Sequence, residues 1–184
     1  MTPEPIMSSG GTVLPSQFGR YQILRKLGSG GMGTVYLAQD TQLHRQVALK
    51  VPHFSETDGP TVIERFLREA RIAASIQHPN ICAVYDFGEI GGIRFLTMPY
   101  IQGTPLSSLI DPTNPWPAEQ ALPLIRQLAL AIQVMHDRGV IHRDLKPSNV
   151  LMRGPSDPVL MDFGLARSLT ADRVTATGAA IGTP

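Results

Sequence analysis

Cysteine is nearly missing from this chain: Cys82 is the single one in 184 residues. No disulfide can form within the chain, which excludes a cross-linked scaffold and favours a reducing compartment. Cys82 itself reads as a small buried apolar side chain. Also absent is any run of about 18 apolar residues, so nothing in the sequence is long enough to cross a membrane as a helix. Charge of one sign is lacking too. Sixteen Lys+Arg stand against 15 Asp+Glu, a formal net charge of +1, which carries no strong message about nucleic acid or an anionic membrane. The five histidines show no metal-ligand spacing with Cys82 or with one another. Met1-Thr2-Pro3-Glu4-Pro5 lacks the basic and apolar regions of a signal peptide. No internal repeat is visible.

What is present suits a globular domain: 42% hydrophobic and 17% charged residues. Residues 1–18 are rich in Pro, Ser and Gly and read as a flexible lead-in. Tyr21–Leu27, Thr34–Ala38 and Gln46–Val51 then read as strands, flanking a glycine cluster at 28–33. A helix is expected over about 61–76, with Val62, Phe66, Glu69, Ala73 and Ile76 on one face. Ile81–Phe87 and Ile93–Met98 read as a strand pair joined by Gly91-Gly92. Pro99 to Gly103 interrupts the pattern. A long amphipathic helix is expected over about 117–137, with Ile125, Leu128, Ile132 and Met135 as its stripe and Gly139 past its end. Strands first and helices later indicate an α+β fold in two lobes.

Four groups of residues carry chemistry. Gly28-Ser29-Gly30-Gly31-Met32-Gly33-Thr34-Val35 is a G-x-G-x-x-G-x-V sequence. Glycines let backbone amides approach phosphate oxygens where a Cβ would intrude. A plain hairpin turn explains such a cluster equally well. A dinucleotide-binding turn needs a helix directly after the glycines, whereas a strand-like segment follows here. Lys50 ends the apolar strand Val47-Ala48-Leu49-Lys50, and a snorkelling surface lysine is its bland reading. Glu69 puts a carboxylate in the helix's apolar stripe and needs a partner, which Lys50 could be. His142-Arg143-Asp144-Leu145-Lys146-Pro147-Ser148-Asn149, with Asp162-Phe163-Gly164 behind it, gathers a base, a cation and two hard oxygen ligands.

In that order and spacing, these residues resemble the glycine loop, lysine strand, catalytic loop and metal-binding turn of protein kinases. The resemblance covers about residues 20–184 and is closest to the eukaryotic-like serine/threonine kinases of bacteria. It implies a two-lobed kinase fold, with a complete β-rich N-lobe over 19–98, a hinge at 99–103 and a partial α-rich C-lobe over 104–184. It implies ATP and Mg²⁺ as cofactors. Asp144 would accept or orient the substrate hydroxyl proton, Lys146 would lie beside the γ-phosphate, and Lys50, held by Glu69, would meet the α- and β-phosphates. Asn149 and Asp162 would hold Mg²⁺.

By the same resemblance, Leu27, Gly28, Ser29, Gly30, Gly31, Met32 and Gly33 would line the phosphate side of the nucleotide site. Val35, Ala48 and Leu151 would sandwich the purine, Met98 would be the gatekeeper, and the Pro99 carbonyl and Ile101 amide would read the adenine edge. Thr175 and Thr177 would be autophosphorylation sites, with Arg143 receiving the phosphate. Protein Ser/Thr hydroxyls would be the acceptors, with kinase–kinase dimerisation possible and no nucleic acid. The location would be the cytoplasm, or the cytoplasmic domain of a longer membrane protein. The kinase pattern continues beyond Pro184, so a C-terminally truncated domain is expected, binding nucleotide weakly and transferring little phosphate on its own. A noncatalytic nucleotide-binding or interaction module is the alternative.

Overall fold

The computed structural model describes residues 13–31, 33–54 and 59–161. They form two compact units, one of residues 13–53 with 84–101 and the other of 54–83 with 102–161. The first is a six-stranded antiparallel sheet in the order β1-β2-β3-β4-β6-β5. Its strands are β1 (Gln17–Phe18), β2 (Tyr21–Gly30), β3 (Gly33–Asp40), β4 (Arg45–Val51), β5 (Asp86–Ile90) and β6 (Ile93–Pro99). Side chains alternate between its faces. Tyr36, Ala38, Val47, Leu49 and Val51 pack with Leu14, Phe18, Tyr21 and Phe95 on one face. Phe95 packs edge-to-face with Phe18 and Tyr21 at centroid distances of 5.5 and 5.4 Å. The other face carries Val35, Lys50 and Leu96 in one row and Leu37, Ala48 and Met98 in the next, as the strand register requires.

Two turns fix this sheet. Gly91 and Gly92, both at positive φ (58° and 79°), make the two-residue connection between β5 and β6. The carboxylate of Asp40 accepts from the Gln42 and Leu43 amides at 3.1 and 3.2 Å and caps the β3–β4 turn. The expected strand over 81–87 is displaced to Asp86–Ile90. Ile81 and Cys82 belong to the second unit, where Ile81 bridges Leu160 and the Cys82 amide donates to the Leu160 carbonyl at 2.9 Å.

The second unit holds α1 (Pro60–Ala74), α2 (Ala118–His136) and a small sheet of β7 (Thr104–Pro105), β8 (Val150–Gly154) and β9 (Asp157–Leu160). Helix α1 opens on a proline, where the missing N–H leaves no bond unmade. It buries Phe66, Ala70 and Ala73, with Ile76 just beyond its end. Helix α2 buries Leu124, Ala131 and Met135. Of the stripe expected from the sequence, Met135 is buried and Leu128 and Ile132 are half-buried, while Ile125 is 56% exposed. The helix is apolar on more than one side, so periodicity alone does not choose its inner face.

Helix α2 ends in a Schellman closure. The Val140 amide donates to Met135 O (3.0 Å), the Gly139 amide to His136 O (2.9 Å), and Gly139 takes φ 71°. Met135 and Val140, the apolar pair of this motif, are both buried. The closure delivers the chain directly into residues 141–149. Arg138 Nη1 also donates to Ser75 O at 2.7 Å, tying this corner to the end of α1. Among the described residues no helix is long and apolar enough to cross a membrane.

Candidate active site

The candidate residues fall into two groups, one in each unit, and each group is built by its own unit. In the first unit, β2 and β3 form the glycine hairpin, with Gly28 opposite Val35, Ser29 opposite Thr34 and Gly30 opposite Gly33. The register skips Leu27, a bulge that breaks the pairing just before the glycines and leaves this side chain 36% exposed. Lys50 sits directly across from Val35 on β4 and from Leu96 on β6, and is only 5% exposed. Ala48 faces Met98 in the next row, and both are buried. Val35, Ala48, Lys50 and Met98 therefore share one face beside the hairpin. Pro99 ends β6, and Ile101 follows it.

The glycines differ in what demands them. Gly33 has φ 131°, and a Cβ there would lie 2.3 Å from Val51 O and 3.0 Å from the Pro52 Cα. The fold itself requires glycine at that position. Gly28 and Gly30 have no such φ, and a Cβ on either would meet nothing within 4 Å. The space a Cβ would fill is open on the hairpin, as a phosphate cradle needs. Gly33→Ala is expected to cost about 2–4 kcal/mol of stability by chemical denaturation. Gly28→Ala is expected to stay within about 0.5 kcal/mol of wild type and, if the hairpin cradles phosphates, to weaken Mg·ATP binding about tenfold.

In the second unit, residues 142–149 form a loop held from within. The buried His142 accepts the Asp144 amide on Nδ1 at 3.3 Å, so in the neutral ring Nε2 carries the proton and donates to Met161 O at 2.9 Å. Arg143 takes φ 61°, a left-handed conformation rare outside glycine. That turn sends the Arg143 guanidinium to Glu69 on α1, with Nη1 3.1 Å from Oε1. Asp144 Oδ2 accepts from Lys146 Nζ at 2.9 Å and from Asn149 Nδ2 at 2.9 Å. The same Asn149 nitrogen donates to the Asp144 carbonyl at 2.8 Å. Both partners are acceptors, which fixes the amide with its nitrogen toward Asp144 and leaves its oxygen as the group suited to a hard cation. Backbone bonds from Asn149 N to Lys146 O (2.9 Å) and from Met161 N to Asn149 O (2.8 Å) complete the frame. Leu151 follows on β8, half-buried and paired with Pro105.

The structure thus brings Asp144, Lys146 and Asn149 into direct contact, and sets Val35 beside Lys50 in the sheet. Lys50 and Glu69 lie in different units. Glu69 does have an ionic partner, and its contact with Arg143 is one the sequence did not suggest. Met32, Asp162, Thr175 and Thr177 lie outside the described residues. The hydroxyl contacts of Thr34 were also missed; the signal available was a threonine directly after the last glycine of the cluster.

The protein kinase domain model matches residues 21–184. The chain is 42% identical over 177 residues to the serine/threonine-protein kinase PknD of Mycobacterium tuberculosis, covering 96% of this chain and 27% of that protein. It is 40% identical over 164 residues to the serine/threonine-protein kinase PrkC of Bacillus subtilis, covering 89% of this chain and 25% of that protein. The crystal structure of the M. tuberculosis PknI kinase domain superposes with a TM-score of 0.73 at 34% identity, over 84% of this chain and 62% of that one. The chain spans about a quarter of the length of these curated relatives.

Proposed function

This chain belongs to the protein kinase domain family, and from that premise we propose that it transfers the γ-phosphate of ATP to serine and threonine hydroxyls of proteins. The observation that carries the reading is the Lys146–Asp144–Asn149 cluster, whose contacts run from 2.8 to 2.9 Å. It offers a carboxylate to a hydroxyl proton, an ammonium to a transferring phosphoryl group and an amide oxygen to a cation.

ATP fits the first unit's face. The open space at Gly28 and Gly30 admits phosphates to backbone amides, and the buried Lys50 supplies a cation one row from the apolar Ala48 and Met98. Lys50 would meet the α- and β-phosphates with Glu69 as its partner, and Leu27, Val35 and Leu151 would enclose the purine. The Pro99 carbonyl and Ile101 amide would read its edge. Mg²⁺ fits Asn149, whose amide nitrogen is already committed, and Asp162 would be the second ligand. Bound there, the ion supplies charge neutralisation to the phosphates. Asp144 orients the acceptor hydroxyl and takes its proton as the O–P bond forms, the bond to the β-phosphate oxygen breaks and ADP leaves. Lys146 steadies the charge on the moving group.

ATP use and a lone thiol, Cys82, buried in the second unit, both suit a cytoplasmic setting, either as a separate domain or as part of a membrane protein. Thr175 and Thr177 are proposed as autophosphorylation sites read by Arg143.

A second reading, nucleotide binding without transfer, is favoured by one observation. Leu122, Ile125 and Leu130 on α2 are 62%, 56% and 46% exposed, an apolar surface of the kind an interaction module presents to a partner. Melting with and without Mg·ATP, beside transfer of labelled γ-phosphate, separates the two. Saturation at about 100 times Kd adds about 2.7 kcal/mol, a rise of about 5–10 °C for a chain of this size. A rise with Mg²⁺-dependent labelling supports the kinase. A rise without labelling supports the second reading, and neither response overturns both.

A further inference from the structure

Three hydroxyl- and imidazole-bearing residues outside the catalytic cluster are joined behind the glycine hairpin. Thr34 Oγ1 lies 2.9 Å from Ser29 Oγ across the hairpin and 3.3 Å from His53 Nε2, two residues beyond β4. Thr34 is 1% exposed. It alternates with Val35 and so lies on the face of Tyr36 and Ala38, opposite the face that carries Val35 and Lys50. The three residues therefore connect β2, β3 and the exit of β4 without entering the face where phosphates would lie. On the described residues of the hairpin tip, a Cβ on Gly28, Gly30 or Gly31 would find no neighbour within 4 Å.

We propose that Ser29, Thr34 and His53 form a latch that positions the glycine hairpin over the nucleotide phosphates from behind. The inference rests on the nucleotide-binding reading above and adds to it positioning residues that touch no ligand through their side chains. One threonine hydroxyl can donate to one neighbour and accept from the other, so a single atom holds both contacts. His53 anchors it to the strand end that follows Lys50, which fixes the hairpin relative to the lysine. A hairpin without the latch would still form from its backbone ladder but would open more often, and binding would then have to order it again.

Two readouts on the intact chain test this: hydrogen exchange of the amides of 28–33 without ligand, and fluorescence titration with Mg²⁺ and a labelled ATP analogue. Thr34→Val keeps the buried volume and removes the hydroxyl. It removes both contacts at once and is expected to speed hairpin exchange and weaken nucleotide binding, each by at least about threefold, the low end of what one neutral hydrogen bond supports. Thr34→Ser is expected to stay within about twofold of wild type. Adding Ser29→Ala to Thr34→Val should cost no further affinity, because both remove the same contact.

Hairpin exchange unchanged in Thr34→Val overturns the latch. So does an acceleration spread over the whole first unit, which marks general destabilisation, or a serine variant as weak as the valine. Additive losses of affinity in the double variant overturn it as well. A wild-type chain that binds no nucleotide overturns the functional reading and the latch's role with it, whereas unchanged exchange with normal nucleotide binding removes the latch alone.

Discussion

Replacing Lys50 by methionine is expected to lower γ-phosphate transfer at least about a hundredfold, the scale for removing a preorganised charge from a phosphoryl clamp. Fold stability should change little. Lys50 is 5% exposed, its stem lies on the sheet face beside Val35 and Leu96, and methionine fills nearly the same space there. What methionine lacks is the ammonium. If Lys50 aligns the α- and β-phosphates, its loss acts on a group that does not itself react, so both nucleotide affinity and transfer should fall. The check pairs a labelled-phosphate assay with chemical denaturation. Normal transfer by a folded Lys50→Met chain would remove Lys50 from the site. Loss of transfer with loss of folding would instead make the lysine a packing residue.

Asp144→Asn should behave differently. The acceptor oxygen that holds Asn149 Nδ2 at 2.9 Å survives as an amide oxygen, so the loop frame is largely kept. The charge facing Lys146 Nζ at 2.9 Å is lost, and with it the base. Lys146 is 43% exposed, so its released ammonium is hydrated and the effect on stability is small. Transfer is expected to fall about 10²- to 10⁴-fold, the range for a positioned general base, while nucleotide affinity stays within about threefold. Steady-state kinetics resolve this as a loss in kcat at nearly constant KM for ATP. An equal loss in affinity would mean that Asp144 acts through loop structure.

The sequence made the local frame legible wherever one period dominated. Strands β2, β3, β4 and β6 and both helices lie where alternation and helical spacing put them, to within a few residues at their ends. Two elements escaped because their neighbours decide them. Ile81 and Cys82 are apolar enough for a strand, yet they bond to Leu160 of the second unit. Helix α2 has apolar residues all round, and its packing buries Leu124 and Ala131 beside the expected Met135 while leaving the expected Ile125 exposed. In the candidate site, residue types and order pointed to Asp144, Lys146 and Asn149, which the structure brings into mutual contact. The Glu69–Arg143 pair was not legible. It depends on Arg143 taking φ 61° and on α1 lying against the loop, and neither is written in local spacing. Likewise, nothing local separates Gly33, which the carbonyl of Val51 requires, from Gly28 and Gly30, which face open space.

The direct test of the central claim is the fate of labelled γ-phosphate when the purified chain is incubated with ATP and a protein substrate. Phosphoamino-acid analysis is run with Mg²⁺, with Mg²⁺ chelated, and with the Asp144→Asn chain. The account predicts label on phosphoserine and phosphothreonine with Mg²⁺, however slowly it accumulates, and background label in the other two samples. Background label in all three, from a wild-type chain whose melting temperature still rises with Mg·ATP, would contradict it and leave a nucleotide-binding module.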